Sequence, residues 1–210
     1  MEKIIKEIKR LQKSEIKTKI DSRLKEFYKM QKKKDNDWFL ELCFCLLTAN
    51  TSAEMGLKMQ KNFGFEGFTC NRNELDLQKK LHDAHCRFYK KRAHFIHLAC
   101  IHKNNLKNTI SKLSHDEKRE WLVKNIKGIG YKEASHFLRN VGYFDYAILD
   151  KHILRTLHEN KLITEVPKSL NAKKYIEYET ILKRICNKMH MTQGELDMYL
   201  WYMKTGKILK

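Results

Sequence analysis

The sequence predicts an all-α protein, and three observations carry that prediction. Apolar residues recur at spacings of three and four along most of the chain, as in Ile4, Ile5, Ile8 and Leu11 and again in Ile16, Ile20, Leu24 and Phe27. One proline and eight glycines in 210 residues leave little to interrupt helices, and no Gly/Ser/Pro-rich linker separates autonomous domains. Hydroxyl and carboxylate residues three apart, at Thr51 and Glu54, Ser114 and Glu117, and Thr192 and Glu195, have the form of capping boxes that open new helices.

Taken in order, the first 30 or so residues read as amphipathic helix. Asp35 or Asn36 is placed to cap a helix over about Trp38 to Leu47, and its all-round apolar character marks it as a core helix. That helix ends at Thr48-Ala49-Asn50. Further on, the spacing predicts a helix over Tyr131–Asn140 that stops near Gly142, and Asp150 stands as the cap of the next. About ten helices account for the chain.

Forty-three Lys and Arg against 25 acidic residues give a net charge of +18, which points to a polyanionic partner. At 42% hydrophobic residues the chain can bury a core, which excludes a disordered basic tail. No apolar run approaches the roughly 20 residues needed to span a bilayer, so an intracellular protein without membrane contact is expected. The six cysteines show no regular framework and read as buried thiols. The His and Cys residues between His82 and His102 match no common zinc spacing, so no metal is expected.

The chemistry concentrates in residues 123–138, around Gly128-Ile129-Gly130-Tyr131-Lys132. Two glycines around one apolar residue allow a sharp turn and bring backbone N–H groups close to a phosphate, while the following helix offers its positive N-terminus. By itself such a triplet also serves as an ordinary helical turn. Lys132 follows the second glycine by two residues, and Asp150 stands eighteen positions further on. A lysine in the first helical turn sits where the macrodipole disfavours a cation, which favours the neutral amine a Schiff-base nucleophile requires. An aspartate can stabilise a developing oxocarbenium ion at a deoxyribose C1′. From spacing alone, a phosphate-touching Lys132 and a purely capping Asp150 stand beside these readings.

This combination resembles the helix-hairpin-helix superfamily of DNA glycosylases, and Lys132 makes it similar to the bifunctional members. Residues 46–53 (Leu-Leu-Thr-Ala-Asn-Thr-Ser-Ala), 87–93 (Arg-Phe-Tyr-Lys-Lys-Arg-Ala) and the ending from Leu200 to Lys210 look like the type-2, chiefly archaeal, 8-oxoguanine DNA glycosylase/lyases. Lys127 stands where the superfamily often has proline. Only Cys186 lies where endonuclease III-like relatives hold four cluster cysteines, so no iron–sulfur cofactor, and no cofactor of any kind, is expected.

The resemblance implies two closely packed helical lobes, about 1–30 with 124–210 and about 31–123, in a single unit over 1–210. The helix-hairpin-helix DNA-binding motif, at the cleft, would cover about 118–141. It further implies a monomer that bends duplex DNA carrying 8-oxoguanine or an abasic site, extrudes the damaged nucleotide and fills the gap with a side chain. Asn50 is the candidate filler, with a local turn or cap role as the other reading. Lys132 and Asp150 become the catalytic pair, Trp201 stacks on the extruded base, and the Lys210 carboxylate accepts from the N7–H that distinguishes 8-oxoguanine from guanine. Gly128, Gly130, Lys124, Lys127, Arg87 and Arg92 are the candidate phosphate contacts. A non-catalytic DNA-binding module and a glycosylase/lyase for another damaged base stand as alternatives.

Overall fold

The computed structural model describes residues 1–49, 51, 53–68 and 73–210, and among these it is built of α-helices with one 3₁₀ turn and no strand. The candidate gap filler Asn50 lies outside the described residues. None of the described helices is long and apolar enough to cross a membrane. The chain divides into a terminal unit, Met1–Lys29 with Leu138–Lys210, and a central unit, Met30–Phe137.

The central unit is organised by α3 (Asp35–Thr48), whose residues Phe39, Leu42, Cys43, Phe44, Cys45 and Leu47 are all inaccessible to solvent. A helix apolar on every side is stable only when neighbours cover each face. Those neighbours include α4 (Ala53–Phe68, broken at Gly64), α6 (Tyr89–Ala99) and α7 (Leu106–Lys112). On α4, the Gln60 amide donates to the Leu40 carbonyl at 3.1 Å and to buried Glu41 at 3.2 Å. Helix α5 (Glu74–Asp83) packs on α6, and a short 3₁₀ turn (Cys100–His102) follows α6.

Asp35 caps a different helix from the one expected. It lies inside α3, and its Oδ1 accepts from the Lys107 N–H at 2.8 Å, at the start of α7. The N-terminus of α3 is instead closed by Asp37, which accepts from the Lys34 N–H at 3.2 Å. Helix α8 (His115–Asn125) opens with Ser114 and Glu117 in the expected capping box. At the Thr51–Glu54 pair, by contrast, Thr51 Oγ1 donates back to the Leu47 carbonyl at 2.7 Å.

Residues 124–137, expected with the terminal lobe, belong to the central unit. Trp38 meets Phe137 edge-on at 6.0 Å, Phe44 meets His136 at 5.6 Å, and Gly128 packs on Phe95. Cys43, Cys45, Cys86 and Cys186 are buried free thiols as expected, whereas Cys100 is disulfide-bonded.

In the terminal unit the N-terminal helix is two helices, α1 (Glu2–Leu11) and α2 (Glu15–Met30). Ser14 makes the break, donating its hydroxyl to the Leu11 carbonyl at 2.7 Å and accepting from the Ile16 N–H at 3.3 Å. Helix α9 (Tyr131–Asn140) begins in the central unit, and its residues from Leu138 count with the terminal one, which also holds α10 (Lys151–Glu159), α11 (Ala172–Met189) and α12 (Gln193–Thr205).

A buried ion pair joins Arg139 of α9 to Asp197 of α12, 3% and 6% exposed, and the guanidinium also lies 4.9 Å from the Phe27 ring centre. Removing one partner would strand a desolvated charge. Asp197→Ala is expected to destabilise the protein by about 3–5 kcal/mol in urea unfolding, and a loss below about 1 kcal/mol would contradict the pair's structural weight.

Candidate functional site

In the central unit the site is a hairpin between α8 and α9. Gly128 has φ +90°, and an added Cβ there would stand 2.3 Å from the Phe95 ring of α6, so both backbone and packing exclude any larger residue. Ile129 is buried and anchors the turn, while Lys124, Lys127, Gly128 and Gly130 are exposed. No turn or loop hydrogen bond among the described residues uses the N–H of Gly128 or Gly130. Both glycines are exposed, and α9 opens beside them with the Gly130 carbonyl accepting from Ala134 N–H at 2.9 Å, an arrangement able to cradle a phosphate.

Helices α8 and α9 are braced across the hairpin. Buried Arg119 donates to Ser135 Oγ at 3.3 Å and lies over the Tyr131 ring at 5.3 Å, and the Tyr131 hydroxyl donates to Glu120. Burial, then the hydrogen bond to Glu120, push the Tyr131 phenol up to about 12, so it remains a donor across the physiological range.

Lys132 therefore sits in the first turn of a rigidly held helix, 28% exposed, and its Nζ lies 3.2 Å from Oε1 of Glu133, 17% exposed. The Glu133 pairing was not expected from the sequence.

Arg92, expected at a phosphate, is turned into the protein rather than toward solvent. It is 3% exposed, and its Nη2 donates to the Ala49 carbonyl at 2.6 Å and to Thr51 Oγ1 at 3.2 Å, while Nη1 points at Cys86 Sγ at 3.2 Å. Its charge is spent on holding the segment after α3. Arg87 is exposed as expected, and its guanidinium lies 5.2 Å from the ring of Phe88. Phe88 was missed by the sequence reading. It is 54% exposed in a left-handed conformation (φ 58°) at the N-cap of α6, an arrangement that places a large aromatic ring in solvent beside the basic residues Arg87, Lys90 and Lys91.

Three histidines of this region have local partners: His82 lies against Tyr89, His94 bonds Glu74 at 3.0 Å, and His102 lies against Trp121. Among the described residues no cluster of three or more His, Cys, Asp or Glu is arranged to hold a metal.

The terminal unit holds Asp150, Trp201 and Lys210. Helix α9 stops where Gly142, at φ +90°, turns the chain, with Tyr143 N–H donating to the Leu138 carbonyl at 2.9 Å. The segment leading to Asp150 is then pinned. Gly194 N–H donates to the Phe144 carbonyl at 2.8 Å and the Gln193 amide to the Asp145 carbonyl at 2.7 Å. Ala147 N–H donates to Glu179 at 2.8 Å, and the Tyr175 hydroxyl accepts from Leu149 N–H at 3.1 Å while donating to the Ala147 carbonyl at 2.8 Å.

Asp150 caps α10 through Oδ1, which accepts from Ile153 N–H at 2.8 Å. Its other oxygen accepts from the Trp201 indole N–H at 3.2 Å, and His152 meets the Trp201 ring edge-on at 6.1 Å. Two of the predicted site residues are thus joined directly. Lys210, half-buried, lies beyond the Gly206 cap of α12.

The profile of a family described as 8-oxoguanine DNA glycosylase matches residues 20–191. An 8-oxoguanine DNA glycosylase/AP lyase of Methanocaldococcus jannaschii is 51% identical over 208 residues, covering 99% of each chain. One from Korarchaeum cryptofilum is 44% identical over 209 residues, covering 99% of this chain and 98% of that one. Among solved structures, the M. jannaschii 8-oxoguanine glycosylase/lyase in complex with a 15mer DNA containing 8-oxoguanine superposes with a TM-score of 0.95 at 50% identity, covering 98% of this chain and 99% of that one.

Proposed function

From the premise that this chain belongs to the 8-oxoguanine DNA glycosylase family, we propose that it excises 8-oxoguanine from duplex DNA and cleaves the strand at the abasic site that results. The observation that carries this reading is the placement of Lys132, an amine in the first turn of the helix after an exposed, glycine-built hairpin.

Phosphate oxygens are held by the N–H groups of Gly128 and Gly130 and by Lys124, Lys127 and Arg87. The damaged nucleotide is flipped out, and Phe88 or Asn50 fills the space it leaves. Lys132 Nζ attacks C1′; the bond from C1′ to the base breaks, and the base departs with a proton. Asp150 opposes the positive charge that develops on the sugar. Ring opening gives the Schiff base, and loss of a C2′ proton expels the 3′ phosphate by β-elimination. Trp201, oriented by Asp150, and Lys210 are assigned to the extruded base. On this reading the two units work as one monomeric enzyme at the nucleoid, with no cofactor.

The test is a single-turnover assay of the wild-type protein on three duplexes, bearing 8-oxoguanine, guanine or a pre-formed abasic site. Nicking of the first and third but not the second is expected. Nicking of the abasic duplex alone would reduce the protein to a lyase. Binding without nicking would make it a DNA-binding module in which Lys132 only touches phosphate.

A further inference from the structure

We propose that Glu133 is a positioning residue that latches the Lys132 amine in the DNA-free protein and releases it when a DNA phosphate docks on the hairpin. This rests on the reading of Lys132 as the nucleophile and of the hairpin as the phosphate cradle.

Consecutive residues on an α-helix point about 100° apart and do not ordinarily meet. The 3.2 Å approach of Lys132 Nζ to Glu133 Oε1 therefore requires the lysine to fold back around the first turn of α9. Both side chains are mostly covered, at 28% and 17% exposure, so the pair is not a freely solvated surface contact. The second carboxylate oxygen points the same way: Oε2 lies 3.4 Å from where a Cβ on Gly130 would stand, over the face of the hairpin.

The carboxylate thus lies beside a helix N-terminus and glycine N–H groups that favour an anion. A docking phosphate is a second anion at that location. Like charges a few ångströms apart repel, the more so as the duplex excludes water. The carboxylate gives way and the amine is freed at the moment a substrate sugar is in reach. Glu133 has no contact with the reacting atoms in this account; it acts through Lys132.

The first arm of the test is made without DNA. Glycolaldehyde and cyanoborohydride alkylate accessible amines, and peptide mapping gives the labelling rate of Lys132 relative to exposed Lys127. Glu133→Gln and, as a second variant, Glu133→Ala are expected to raise that ratio about twofold to fivefold, the range set by one partly exposed ion pair. Both are also expected to bind an undamaged duplex about twofold to fivefold more tightly at low salt, because a like charge has left the cradle. A general loosening of the fold would raise labelling at every lysine and leave the ratio unchanged, and so would overturn the latch, as would a lower ratio. A raised ratio with unchanged duplex affinity would overturn release by phosphate. The three-duplex nicking assay judges the nucleophile reading separately, since the labelling ratio does not depend on catalysis.

Discussion

Lys132→Gln is expected to bind duplex DNA and fail to cut it. Single-turnover nicking of both the 8-oxoguanine and the abasic duplex should fall by on the order of 10³-fold or more, because the covalent intermediate cannot form without the amine. The fold should not suffer. The Lys132 side chain is partly exposed with Glu133 as its ion-pair partner, and glutamine has nearly the same helix propensity as lysine. Affinity should fall by no more than the loss of a single charge allows, with most of the salt dependence kept by Lys124, Lys127 and Arg87. A variant that retains nicking within about tenfold of wild type would remove Lys132 from the chemistry and leave it a phosphate contact.

The second large effect is at Asp150. Asparagine is as good an N-cap as aspartate, so in Asp150→Asn the bond from Ile153 N–H survives and the melting temperature should stay close to wild type. What is lost is the charge, and with it the anionic acceptor of the Trp201 indole N–H. Excision of 8-oxoguanine should fall about 10²- to 10³-fold, the usual scale for removing one electrostatic stabiliser of a transition state. Cleavage of a pre-formed abasic site should fall less, since no base departs there. Equal losses on both substrates would show that Asp150 serves the Schiff-base steps or the geometry of the site rather than base departure.

The residues that could be placed from sequence are those whose role is local. The bounds of α9, its stop at Gly142 and the Asp150 cap depend on residues within one or two turns of each other, and the structure has all three as expected. The all-round apolar α3 was legible for the same reason.

What could not be read depends on partners distant in the chain. Arg92 has the composition of a phosphate contact until the fold brings Ala49 and Thr51, more than forty residues away, against its guanidinium. Asp35 sits where a cap for α3 belongs, yet α7, seventy-two residues on, takes its oxygen. Gly128 reads as a turn residue, and only the packing of Phe95 shows that it also admits α6 to the hairpin. The join between Asp150 and Trp201 spans fifty-one residues and leaves no trace in spacing. The latch at Glu133 was hidden for the opposite reason, since its partner is the next residue and helical geometry says that neighbours do not meet. Phe88 was the most accessible of the missed residues, an aromatic opening a run of three basic residues in five, Lys90, Lys91 and Arg92.

On the proposed mechanism, Lys132 becomes covalently attached to the sugar from which the base has left. Borohydride reduction during reaction with a duplex carrying one 8-oxoguanine converts a Schiff base into a stable amine, and digestion followed by mass spectrometry locates it. A reduced deoxyribose adduct is expected on Lys132 in the wild type, and none in Lys132→Gln. An adduct on any other amine, or nicking of the 8-oxoguanine duplex with no adduct at all, would contradict that mechanism.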